Sequence, residues 1–217
     1  MSTTTLRHNR VDLALDHLRD GDGTPLLLLH GLGERAPAAV PSWAAAWTGP
    51  VHALDFTGHG GSTVPSGGGY TAEVLMGDAD AALAHLGPCT VVGRGLGAYV
   101  ALLIAGGRPE LVRGAVLADG PGIFGGGVGP VSPQVVVAPD GAPTPPDPYA
   151  LLELSKDVRP PDYAVAFARA AAAGSTVDPP LAVAAVARPE WLTAVVDSLL
   201  LEPTRIEDAL RMYGAAP

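Results

Sequence analysis

Thr90-Val91-Val92-Gly93-Arg94-Gly95-Leu96-Gly97 joins two segments of different texture through alternating glycines. The Thr90 to Gly93 half is short, apolar and turn-bounded, as expected of a strand buried on both faces. The other half opens Leu96 to Ala105, which is apolar all round apart from the hydroxyl of Tyr99. That run predicts a buried helix, stopped by Gly106-Gly107 with Pro109 beyond. A strand that turns sharply on glycine into a helix, both buried, calls for a sheet with helices packed over it.

Outward from this stretch the same strand signature recurs. Leu26 to Leu29 is four consecutive leucines, and Val51 to Asp55 and Gly114 to Ala118 are equally short and apolar. With Thr90 to Gly93 they predict four central parallel strands. Val11 to His17 alternates apolar and polar residues, the period of a half-buried strand, and is expected at a sheet edge. Leu75, Ala79, Ala82, Leu83 and Leu86 recur at intervals of three and four after a Thr71 cap, which predicts a surface helix. Strands and helices alternating in this way predict an open, doubly wound α/β sheet with right-handed crossovers.

The texture changes after Asp119. Gly120 to Pro148 collects Gly and Pro clusters and reads as irregular, with Val135-Val136-Val137 as a short strand within it. Pro161 to Ala173 and the Trp191, Val195, Leu199 series have helical spacing, and Thr204 with Glu207 forms a capping-box pattern. Leu181 to Ala187 fits either a helix entered through Asp178-Pro179-Pro180 or a short buried strand, and the balance leans to helix. The sequence contains no internal repeat.

At 217 residues, 47% of them hydrophobic and 16% charged, the chain suits one globular domain. Gly, Pro and charge interrupt every apolar run before it reaches membrane-spanning length. The net charge is −9, carried by scattered acids against twelve arginines and the lone lysine, Lys156, so nucleic acid is not an expected partner. Cys89 is the only cysteine, which excludes an internal disulfide and any CxxC pair. Met1 to Arg10 has no apolar run of signal-peptide length, and a cytoplasmic location is expected.

Three segments fall at the C-terminal ends of predicted strands, where open α/β sheets bind ligands. Leu26 to Gly33 resembles the strand and HGxG loop of α/β-hydrolases. Asp55-Phe56-Thr57-Gly58-His59-Gly60-Gly61-Ser62 is similar to their D-x-x-G-H-G-x-S loop, and Gly93-Arg94-Gly95-Leu96-Gly97 to their nucleophile elbow, G-x-S-x-G. The resemblance covers roughly residues 11 to 120. It implies an α/β-hydrolase-like, mostly parallel, doubly wound sheet with a helical lid and C-terminal helices, lacking the last strands. Residues 1–217 would form a single domain with 121–180 as an irregular, helical lid-like insertion.

The resemblance also places a glycine, Gly95, where the family carries its nucleophilic serine, flanked by the expected Gly93 and Gly97. Family order runs nucleophile, acid, histidine, yet His8, His17, His30, His52, His59 and His85 all precede Gly95. The elbow therefore offers neither an oxygen for the covalent step nor a downstream base. Cys89 lies at the far end of the strand and reads as a buried thiol. A Ser62–His59 pair is a weak alternative, and Asp119 and Asp140 without a histidine to orient read better as capping or solvated carboxylates.

What the resemblance leaves in place is the oxyanion geometry: the N–H of Leu32 or a neighbour, and that of Leu96 at a helix N-terminus. The candidate ligand-binding residues are accordingly His30, Gly31, Leu32, Gly95, Leu96 and Asp119, with Arg94 as a nearby cation. No HExxH or comparable spacing points to a metal. The glycines of 93–97 lack the register of a dinucleotide loop, so no cofactor is expected. The expected function is binding of a small apolar or carbonyl-containing ligand without hydrolysis. Two alternatives stand beside it: an interaction or scaffold subunit that pairs with itself or with a complete hydrolase, and an enzyme using His30, His59, Asp119 or Arg94 in unconventional acid/base chemistry.

Overall fold

In the computed structural model, which describes residues 2–129 and 144–214, seven strands form one sheet in the order β1-β2-β4-β3-β5-β6-β7. β1 (Ser2–His8) and β2 (Val11–Arg19) form an antiparallel hairpin, and β2 pairs antiparallel with β4 (Val51–Leu54). β3 (Leu26–Leu29), β4, β5 (Cys89–Arg94), β6 (Val112–Ala118) and β7 (Leu181–Val183) run parallel. The mostly parallel, open α/β sheet expected from the sequence is present.

The four leucines of β3 divide between two cores. Leu27 and Leu29 join the larger cluster and Leu26 and Leu28 the smaller one on the opposite face. Val91 and Val92 of β5 separate in the same way. Side chains alternate across a strand, so a strand in mid-sheet needs apolar residues at every position. The larger core holds α1 (Ala72–Leu86), α2 (Leu96–Gly107), α3 (Pro148–Lys156), α4 (Pro161–Gly174) and α5 (Glu190–Leu199). The smaller is closed by a 3-10 turn at Ser42–Ala44 and by α6 (Ile206–Gly214), whose Ala209, Leu210 and Tyr213 are buried.

Three expectations are corrected. Val11 to His17 is not the sheet edge, because β1 lies outside it; β1 is polar and mostly exposed, so no alternation announced it. Leu181 onward is a strand instead of a helix, since the backbone of β6 offers a parallel ladder that a three-residue apolar segment can complete. The Thr204–Glu207 capping box does not form: α6 starts at Ile206, and the Thr204 hydroxyl lies 3.5 Å from the Arg205 carbonyl oxygen. α2 ends at Gly107, where the Gly106-Gly107 stop signal placed its end. A Cβ at Gly106 would lie 2.5 Å from the Phe167 carbonyl oxygen, so the glycine lets α4 cross α2 closely. Val135 to Val137 and Asp140 lie outside the described residues. No helix among the described residues is long and apolar enough to cross a membrane.

The Thr71 cap is present, its side chain accepting from the Val74 N–H at 3.3 Å. On the apolar stripe of α1 sits one acid, Asp78, fully buried. Its carboxylate accepts from the Thr57 N–H (2.8 Å), the Thr57 hydroxyl (2.9 Å) and His8 Nδ1 (2.7 Å), and so joins α1 to the 55–62 loop and to the edge strand. Burial raises its pKa, and these hydrogen bonds oppose the rise. Asp78→Ala strands the Thr57 donors in a dry site and is expected to lower stability by about 2–4 kcal/mol in chemical unfolding.

Candidate functional site

The glycine pattern of the elbow has a steric cause. A Cβ on Gly97 would sit 2.5 Å from the Leu29 carbonyl oxygen, and one on Gly93 would overlap the Gly97 carbonyl. Gly95 is the N-cap of α2 at φ 58°, ψ −117°, a conformation costly for any residue with a side chain. The elbow geometry is therefore present at the C-terminal end of β5 with glycine at its apex.

The N–H groups of Leu32 and Leu96, which the sequence reading placed toward an oxyanion, both point at an atom of the chain itself. Leu32 N–H donates to the Pro121 carbonyl oxygen at 3.0 Å and Leu96 N–H donates to the same oxygen at 2.9 Å. A Cβ on Gly95 would overlap that oxygen and lie 2.5 Å from the Gly120 carbonyl carbon. The segment after β6 thus fills the space that a nucleophile side chain and a substrate carbonyl would share. Nothing in the residue pattern singled out Pro121, because the contact is made by its backbone.

The other candidates are brought near this point and are largely engaged. His30 is buried; its Nε2 accepts from the Phe56 N–H (3.1 Å), which leaves Nδ1 to donate to the Gly31 carbonyl (2.7 Å). Burial, reinforced by neighbouring His59, lowers its pKa to about 3. His59, also buried, accepts from the Gly33 N–H at Nε2 (3.3 Å) and donates from Nδ1 to the Thr57 carbonyl (3.1 Å), and burial lowers its pKa too. Both rings are neutral braces of the two glycine-rich loops. Ser62 donates to the Asp55 carbonyl (2.5 Å) and accepts from the Ala14 N–H (2.9 Å), so its hydroxyl is committed to the backbone and not to His59.

Asp55 shows what its motif does. Its carboxylate accepts from the Ala36 N–H (2.6 Å) and the Gly61 N–H (2.7 Å), and a Cβ at Gly60 would collide with it. Asp119 behaves as a capping acid, accepting from the Val186 (2.6 Å) and Ala187 (2.9 Å) N–H groups just beyond β7. Arg94 pairs with Glu34 at 3.2 Å, and Glu34 also accepts from the Gly31 N–H at 3.0 Å. Cys89 is buried at the start of β5, and desolvation pushes its thiol pKa up to about 12. No group of three or more histidine, cysteine, aspartate or glutamate residues suited to a metal occurs among the described residues.

Two cavities border the candidates. One of about 470 Å³ lies along the segment after β6 and is lined by Leu32, Asp119, Gly122, Ile123, Phe124 and Ala187 among others. Another of about 460 Å³ touches His30 and Arg94 with Leu28, Val92 and Trp43, on the face of the smaller core.

The profile of the alpha/beta hydrolase family matches residues 26–216. The chain belongs to that family. Over 126 residues, 54% of this chain, it is 29% identical to the (E)-2-((N-methylformamido)methylene)succinate hydrolase of Acinetobacter baylyi. The matched segment spans 44% of that relative's length. The crystal structure of an N-formylmaleamic acid deformylase from Pseudomonas putida superposes with a TM-score of 0.66 at 14% identity, covering 97% of this chain and 95% of that one, which is a likeness of fold.

Two outcomes follow for this alpha/beta hydrolase fold. Gly95→Ser must displace the Pro121 carbonyl or strain the elbow; it is expected to cost about 1–3 kcal/mol of stability and to yield no esterase activity, measured by thermal unfolding and ester turnover. Between pH 6.5 and 3 an unfolded histidine takes up a proton that folded His30 refuses, so stability is highest above about pH 6.5 and falls as pH drops toward 3. In urea unfolding across this range His30 is expected to contribute about 1.4 kcal/mol per pH unit, a contribution that His30→Gln removes while those of His52 and His59 remain.

Proposed function

We propose that this protein is a non-catalytic alpha/beta hydrolase that binds a small apolar or carbonyl-containing ligand without cleaving it. The observation that carries the reading is the Pro121 carbonyl, which accepts the N–H groups of both Leu32 and Leu96 beneath a glycine apex. Acyl transfer needs a nucleophile and donors directed at the oxygen where charge develops. Here the apex has no nucleophilic atom and both donors are spent.

A ligand would lie along the segment after β6 in the cavity lined by Leu32, Gly122, Ile123, Phe124 and Ala187. On this reading residues 1–217 are one domain, 121–180 cover the site as a lid, and His30, Gly31, Leu32, Gly95, Leu96 and Asp119 form its floor. His30 and His59 spend both ring nitrogens on backbone groups, which weighs against acid/base catalysis. The named relatives are hydrolases, and those activities belong to them.

A second reading, an interaction subunit, draws on the sheet edge. β7 has three residues, its outer side makes one bridge among the described residues, to Pro203, and Val186 and Leu200 are 87% and 85% exposed. Short, poorly covered edges invite pairing with a second copy or another hydrolase.

Incubation with a fluorophosphonate probe and with p-nitrophenyl acetate is expected to give neither labelled serine nor turnover above buffer. A labelled serine that is lost with activity on substitution overturns the non-catalytic reading.

A further inference from the structure

Between β3 and β4 the chain passes over the face of the smaller core, and residues 34–41 form no helix there. This passage is fixed from within, because the buried Asp55 carboxylate accepts from the Ala36 N–H at 2.6 Å. Pro37 and Pro41 are conformationally restricted, and Ala36 and Ala38 add little side-chain volume. What they leave is the cavity of about 460 Å³ that reaches Leu28 and Val92 of the central strands and is lined further by Pro37, Pro41 and Trp43. Leu28 and Val92 are buried, whereas Arg35 and Ala38 in the same lining are exposed, so the space opens to solvent on the loop side.

The charged groups of this cavity are unevenly matched. Arg94 follows Val92 by two residues on β5 and so leaves the sheet on the same face. Its Nη1 donates to Glu34 at 3.2 Å, and with 42% of its side chain exposed it is reached directly from solvent. Arg35 is exposed and makes no hydrogen bond or ion pair among the described residues. Glu34 is committed twice, to Arg94 and to the Gly31 N–H at 3.0 Å. His30 also lines the cavity, but both its ring nitrogens are bonded to backbone. Two guanidinium groups therefore face one carboxylate, a local excess of one positive charge in a chain whose net charge is −9.

We propose that this cavity binds a small aromatic carboxylate, its ring packed on Leu28, Val92 and Trp43 and its carboxylate at the mouth with Arg94 and Arg35. The volume is that of a small-molecule site, and the indole of Trp43 with two proline rings suits a planar apolar body. One uncompensated positive charge at an open rim matches a monoanion, and guanidinium groups pair well with carboxylate oxygens. A dianionic phosphate would exceed that charge, and a cation would be repelled by it. No residue lining this cavity also lines the one along the segment after β6, so the site goes beyond the non-catalytic reading and does not depend on it.

Isothermal titration of the full chain with 2-naphthylacetate, and with neutral 2-naphthylacetamide as its isostere, tests the site. The acid is expected to bind roughly tenfold tighter than the amide, and Arg94→Ala and Arg35→Ala each to weaken the acid about fivefold while leaving the amide unchanged. Trp43→Ala is expected to weaken both probes alike. Arg35 is exposed and unpaired among the described residues, so its variant serves even where loss of the Arg94–Glu34 pair disturbs the loop. Phe124→Ala, in the cavity along the segment after β6, is expected to leave acid binding as it was. No binding of the acid, equal affinity for acid and amide, unchanged acid affinity in Arg35→Ala, or a loss in Phe124→Ala overturns the assignment.

Discussion

A single carbonyl oxygen, that of Pro121, holds the upper end of this sheet together. Two buried N–H groups, one from the loop after β3 and one from the first turn of α2, have no partner in their own elements, and each would cost about 1–3 kcal/mol if left dry and unpaired. Pro121 satisfies both. The arrangement is possible because Gly95 presents no side chain, and Gly122, at φ 77°, turns the segment closely past Leu32. From there the Ile123 carbonyl receives both Arg159 and Trp191, which docks the later helices onto the same segment.

The polar residues of the family motifs remain, but their hydrogen bonds run to backbone. Asp55 ties the loop after β3 to the loop after β4, Asp78 ties the latter to α1 and β1, and two neutral histidines fill the gaps between them. Groups that are buried and fully hydrogen-bonded have little capacity left for a substrate. They do keep the glycine-rich loops in shape, and that shape defines the cavities at this end of the sheet.

Around Arg159 the balance differs. There the chain buries a guanidinium whose Nε and Nη2 have no partner among the described residues, over the Tyr99 ring.

Much of this was legible from residues alone. The four leucines of β3 read as a strand buried on both faces, and Gly93, Gly95 and Gly97 resembled the tight strand-to-helix elbow of the family. The same spacing put glycine at the apex, and all six histidines stand before it in the chain. These are local properties, carried by composition and period. The polar edge strand β1, the assignment of Leu181 to Val183 to the sheet, the close crossing of α2 and α4 at Gly106, and the roles of Pro121 and Arg159 were decided only by tertiary structure. Each depends on which distant backbone or ring lies opposite, and hydrogen bonds made by main-chain atoms leave no mark on the side chains by which a sequence is read.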